Sequence, residues 1–217
     1  MENVSHDVLM QRISLARLSS FLRQTGGDVA AAVRLYEWNA HLAASVFELL
    51  GHVEVVIRNS MHRELVQWHL EKFGNENWFT NEHGLFVSRA MTDISLAVER
   101  LRRRNREISG DRIVSELNFG FWRFLLAKQY RTTLWPSALK NAFPQLETNG
   151  VVILGSRLTS LHGLRNRIAH HEPIHTRDLS NDVLDCHQVI SAVCEKSANW
   201  AVARSRALEI LDDRPRR

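Results

Sequence analysis

The chain has 217 residues, of which 44% are hydrophobic and 24% charged, a balance that supplies a core and excludes a disordered chain. A formal charge of +4 and a pI near 9.5 are compatible with a polyanionic partner but do not require one. Only four prolines occur, and none precedes Pro136, so no proline interrupts a helix over most of the length and the expected fold class is all-α.

The opening segment, Met1 to Asp7, is polar and acidic, unlike a secretory leader, and points to a cytoplasmic protein. Val8 to Gln24 carries apolar residues at mixed three- and four-residue spacing and breaks at Thr25-Gly26-Gly27. Asp28 is placed to cap a helix from Val29 to Leu50, whose apolar positions recur every three or four residues. Its apolar run Leu42 to Leu50, interrupted by Ser45 and Glu48, falls short of the roughly 18 residues of a membrane span, so no membrane partner is expected. After Gly51 a second helix, Val53 to a terminating Gly74, is expected to pack against the first.

A polar loop, Asn75 to Gly84, precedes a helix from Leu85 to Arg106 with a strongly basic end. Ile113 to Tyr130 reads as one buried helix despite Gly120, and Leu134 to Phe143 as a short one beside Pro136 and Pro144. Val151 to Ala169 repeats Leu154, Leu158, Leu161 and Ile168 along one face, and Pro173 disfavours its continuation. Two final helices, near Asn181 to Lys196 and Asn199 to Leu211, complete the count. Cys186 and Cys194 lie about 12 Å apart along one helix, too far to pair. No repeat or linker appears, so a single domain over residues 1–217 is expected.

The densest polar cluster at a helix end is Leu164-Arg165-Asn166-Arg167-Ile168-Ala169-His170-His171-Glu172-Pro173-Ile174. Asn166 and His170 are four apart and share a face, with Arg165 on a neighbouring stripe. Histidine exchanges protons near neutrality and arginine grips phosphate bidentately, which suits phosphodiester chemistry. The same residues also suit a plain helix end, where cations meet the last carbonyls. His171-Glu172-Pro173-Ile174-His175 matches the H-E-x-x-H letters of zinc peptidases, but Pro173 breaks the continuous helix that pattern needs.

The string from Arg165 to Ile174 resembles the Abi-like branch of the HEPN ribonucleases. Leu35-Tyr36-Glu37-Trp38-Asn39, the run from Leu50 to Leu65, and Glu116-Leu117-Asn118-Phe119-Gly120-Phe121-Trp122 fit the same family, so the resemblance spans residues 18 to 175. It implies a HEPN-like helical bundle, to which the C-terminal residues 180–212 add further helices, and a homodimer that brings two signatures into one cleft. In that scheme Arg165 holds the scissile phosphate, Asn166 orients the arginine or the phosphate, and His170, or His171, transfers the proton of an attacking 2′-hydroxyl without a metal or other cofactor. It further implies RNA as substrate, and control by an antitoxin or a bound noncoding RNA. The alternative is an RNA-binding protein that forms a ribonucleoprotein and does not cleave, or cleaves conditionally.

Arg58 and His62, four apart on one stripe, are candidates to line the same cleft or to form an exposed polar face. Arg167 and the run Arg100, Arg102, Arg103, Arg104 and Arg106 are candidate RNA contacts, because five arginines in seven residues repel one another unless an anion or an acidic partner is near. The bland reading of the run is a solvated helix end. Trp38, Phe119, Phe121 and Trp122 suit base stacking but fit core positions better.

Overall fold

The computed structural model describes residues 6–147 and 149–215; Met1 to Ser5, Thr148 and the last two arginines lie outside the described residues. Among the described residues the chain is helical throughout, with no strand. The apolar segment from Val8 to Gln24 forms two helices, α1 (His6–Ile13) and α2 (Leu15–Gln24). Ser14 separates them in the left-handed region at φ 77°, and its hydroxyl accepts the amide of Arg17 to cap α2. The mixed apolar spacing is the trace of that change of axis. Positive φ at Gly26 and Gly27 then turns the chain.

The two helices expected on either side of Gly51 are one. α3 (Val29–Phe73) runs 45 residues, about 67 Å, from the Asp28 cap to Gly74, which closes it at φ 76°. It crosses Gly51 because the apolar stripe Leu42, Val46, Leu49, Val53, Ile57 and Met61 keeps its phase there, and burial outweighs the roughly 1 kcal/mol helix penalty of one glycine. By length and composition α3 is apolar enough to cross a membrane, Glu48 notwithstanding, and its buried residues from Ala31 to His69 form the spine of the core.

α4 (Ser88–Arg103) is shorter at both ends than the expected helix from Leu85 to Arg106, and the expected helix from Ile113 to Tyr130 is broken into pieces. These are α5 (Gly110–Glu116), α6 (Phe119–Phe124) and a 3₁₀ turn at Lys128–Tyr130. Leu117 is extended, and Asn118 starts the next helix by accepting the amide of Phe121 at 3.0 Å. α7 (Leu134–Ser137) and a 3₁₀ turn at Leu139–Ala142 replace the single short helix. α8 (Val151–Ala169) has the expected bounds. The C-terminal part holds three helices rather than two: α9 (Leu179–Val193), α10 (Glu195–Arg204) and α11 (Ala207–Asp212), with extended backbone at Cys194 and Ser205.

One cluster of buried side chains runs from Leu18 to Ala207, with α2, α6, α8, α9 and α11 packed on α3. Trp38, Phe119, Phe121 and Trp122 belong to it. The Trp38 indole donates to the carbonyl of Ile210 at 2.6 Å and pins α11 to α3. Cys186 and Cys194 are both free.

Candidate functional site

α8 ends in a Schellman motif built from the signature itself. The amide of Glu172 donates to the carbonyl of Arg167 at 2.8 Å and that of His171 to Ile168 at 2.9 Å, with His171 at φ 56° where glycine is usual. Four side chains then hold the segment that follows. The Asn39 amide oxygen accepts the backbone amides of Ile174 at 2.9 Å and His175 at 3.0 Å, so the Leu35-Asn39 stretch and the signature, remote in sequence, form one structure. Arg167 donates to the carbonyl of Pro173 at 2.7 Å and faces Glu172 at 3.6 Å. Arg17 donates to the carbonyl of His171. Arg177 forks onto buried Asp182 of α9 at 2.7 and 2.9 Å and reaches Ser160 at 3.2 Å. Neither Arg17 nor the Arg177–Asp182 pair stands out in the sequence.

Three signature side chains take no part in this anchoring. Among the described residues Arg165, Asn166 and His170 make no side-chain hydrogen bond or ion pair within the chain, and His171 uses only its backbone. His170 and His171 are exposed, and the Arg165 guanidinium lies 6.0 Å from the half-exposed ring of Phe47 on α3. The result is a fixed backbone that presents a guanidinium, an amide and two imidazoles to solvent. Such a set can hold an anion and move protons beside it. Next to it, between α3 and α8, opens a mostly apolar groove of about 510 Å³ lined by Tyr36, Ala40, Ala44, Phe47, Ala169 and His171.

On the other flank α8 carries His162, which sequence reading passed over although it shares a face with Asn166. Burial lowers its pKa first, and the guanidiniums of Arg123, Arg165 and Arg89 lower it further. Three cations around one imidazole make this flank a basic strip that continues from the signature.

The remaining candidates fall elsewhere. Arg58 is partly buried and lies about 16 Å further along α3 than Phe47. His62 is turned away from the signature: its Nδ1 accepts the Trp78 indole at 3.1 Å, and its Nε2 faces Asp111 at 3.2 Å. Burial lowers the pKa of His62 and Asp111 partly restores it. In the arginine run, Arg100 and Arg104 share Glu116 at 3.0 and 2.7 Å, and Arg103 pairs with Glu99 at 2.5 Å. The acidic partner that the crowding demands is thus supplied for those three from within the chain. Arg102 and Arg106 are exposed and, among the described residues, carry no ion pair. The H-E-x-x-H letters do not form a helical pair, because His171 lies past the end of α8 and His175 is buried, 4.5 Å from Phe21.

An all-α chain with a rigid, solvent-facing Arg-Asn-His set at one helix end defines the class of protein. Residues 9–176, from α1 through the anchored segment after α8, match the family described as Abi-like protein, and the chain belongs to that family. α9 to α11 lie beyond the match. No curated protein and no solved structure matches the chain.

Proposed function

We propose that the chain is a metal-independent endoribonuclease of phage defence, of the HEPN kind, whose active site forms when two protomers pair their α8 signatures. The observation that carries this reading is the contrast within one helix end. Arg17, Asn39, Arg167 and Arg177 fix the backbone, while Arg165, Asn166, His170 and His171 keep their side chains uncommitted. A structural helix end would have spent these groups on its own carbonyls.

In the reaction proposed, His170 takes the proton of a ribose 2′-hydroxyl as its oxygen attacks the adjacent phosphorus. Arg165 stabilises the developing charge on the phosphoryl oxygens, with Asn166 holding its orientation. The 5′-oxygen leaves with a proton from His171 or from the partner protomer's imidazole, which gives a 2′,3′-cyclic phosphate and a free 5′-hydroxyl. The apolar groove between α3 and α8 supports pairing, since its small side chains allow close approach of a second copy beside the signature. Arg102 is left to touch substrate phosphate at long range, and an antitoxin protein or bound noncoding RNA holds the toxin silent in the cytoplasm until infection. The basic strip beyond the signature favours one alternative, an RNA-binding protein whose ribonucleoprotein cleaves only conditionally.

The test is cleavage of total cellular RNA in EDTA by the wild type and by Arg165→Ala/His170→Ala, with analysis of fragment ends. Loss of the general base and the anion clamp should lower the rate at least 10²-fold. Cleavage that the wild type performs, that the double variant loses and that leaves cyclic phosphates supports the nuclease; no cleavage by a wild-type protein that copurifies with RNA supports the ribonucleoprotein.

A further inference from the structure

Away from the signature, a second groove of about 670 Å³ lies between α8 and the stretch from α6 to Arg131. Its cations are Arg123 and Arg131, and its α8 wall presents the hydroxyls of Ser156, Thr159 and Ser160. Arg123 reaches Thr159 at 3.4 Å, a long contact to a neutral group. Among the described residues, Arg123, Arg131 and the nearby Arg89 have no carboxylate partner, unlike Arg100, Arg103, Arg104, Arg157 and Arg177. The Nε atoms of Arg123 and Arg131 are also buried without an acceptor. Desolvated, unneutralised guanidiniums are costly, and an anion bound at their outer nitrogens would offset that cost.

The groove has a direction as well as a charge. Thr159, His162, Asn166 and His170 follow one another at three- and four-residue spacing, so the groove and the signature share a face of α8. Thr159 precedes Arg165 by about 9 Å along the axis, a span on the order of three phosphates of a stacked strand. Arg89 is close enough to Arg123 in the groove and to His162, which also neighbours Arg165, to disfavour a further positive charge at both, so the positive potential extends from the groove toward the signature.

We propose that the Arg123–Arg131 groove is a second phosphate site, which grips the backbone of the RNA strand a few nucleotides from the phosphate held at Arg165. The proposal rests on the nuclease reading and adds to it a single-stranded substrate longer than the cleaved step. Guanidiniums and hydroxyls contact phosphate oxygens without reading bases, so the groove sets strand position and minimum length and contributes nothing to sequence choice.

The experiment measures binding of 2′-O-methyl oligonucleotides, a decamer and a dinucleotide, by fluorescence anisotropy across a salt series. Cleavage of unmodified RNA is followed in parallel. For Arg123→Gln/Arg131→Gln the expected result is about tenfold weaker decamer binding, with the salt slope smaller by about 0.7 per lost contact and a smaller effect on the dinucleotide. Ser156→Glu, an exposed change that removes nothing from the core, should give the same pattern and guards against misfolding of the double variant. If the wild type cleaves RNA while both variants bind the decamer with unchanged affinity and slope, the groove is not an RNA site and the nuclease reading stands. Equal losses on decamer and dinucleotide would merge the groove with the cleavage site and overturn its separate role. A wild type that neither binds nor cleaves any RNA overturns both readings.

Discussion

His171 sits in a backbone conformation that favours glycine, and the helix terminus is otherwise complete, so the side chain is kept at a conformational cost of about 1 kcal/mol. His171→Gly should therefore stabilise the protein by about that amount in urea unfolding, while it lowers RNA cleavage if the imidazole transfers a proton. A fall in stability would mean that the ring is held for packing. Asn39 presents the opposite case. Its one oxygen satisfies two buried backbone amides, and Asn39→Ala leaves both unpaired, at about 2 kcal/mol or more. Asn39→Asp keeps the acceptor and should cost less, a ranking that denaturation midpoints will check.

At the scale of elements, what the sequence reveals depends on whether the apolar pattern keeps its phase. α8 was readable to the residue because its buried face is continuous and Pro173 lies just beyond it. α3 reads as two helices because Gly51 is a helix breaker by propensity, while the stripe that overrides it stays in phase on both sides. The segment from Ile113 to Tyr130 reads as one helix for the converse reason: its buried residues fall on all sides of a helix, which erases periodicity, and the signal that marks the break is the Asn118 cap. The signature was legible as chemistry, whereas its anchors were not, since Arg17, Asn39 and Arg177 act across long sequence separations that spacing cannot report. The arginine run shows the same limit, for Glu116 is close to it only through the fold. Gly51 supplies a test. It is exposed in the middle of α3, and a methyl group there would meet nothing within 4 Å. Gly51→Ala should raise stability by roughly 0.5–1 kcal/mol, read from urea or thermal unfolding. A loss would show that the exposed face at Gly51 is covered, as in a dimer interface where Phe47 and Val55 share the same stripe.

For the whole molecule the sharpest consequence of the packing is its response to pH. His62, His162 and His175 all have lowered pKa values, with burial the largest cause in each. His175 is 1% exposed, with Arg214 and Arg167 as further unfavourable neighbours for its charged form. Below the unfolded value of about 6.5, the unfolded chain therefore binds more protons than the folded one, and folding stability falls as pH drops through that value toward the lowered ones. At the alkaline end the signs reverse. Burial raises the pKa values of Tyr130 and Cys186, so their neutral forms favour the fold and that contribution is lost as pH climbs past their unfolded values. Stability should thus peak between the two windows, with the lowered imidazoles of His62, His162 and His175 contributing to the acid limb. Urea midpoints measured from near neutrality down to about pH 5.5 should decline for the wild type, and less steeply for His175→Phe. A pH-independent midpoint would show that the buried imidazoles find water or acceptors that the packing does not provide. An unchanged slope in His175→Phe would assign the decline to His62 and His162.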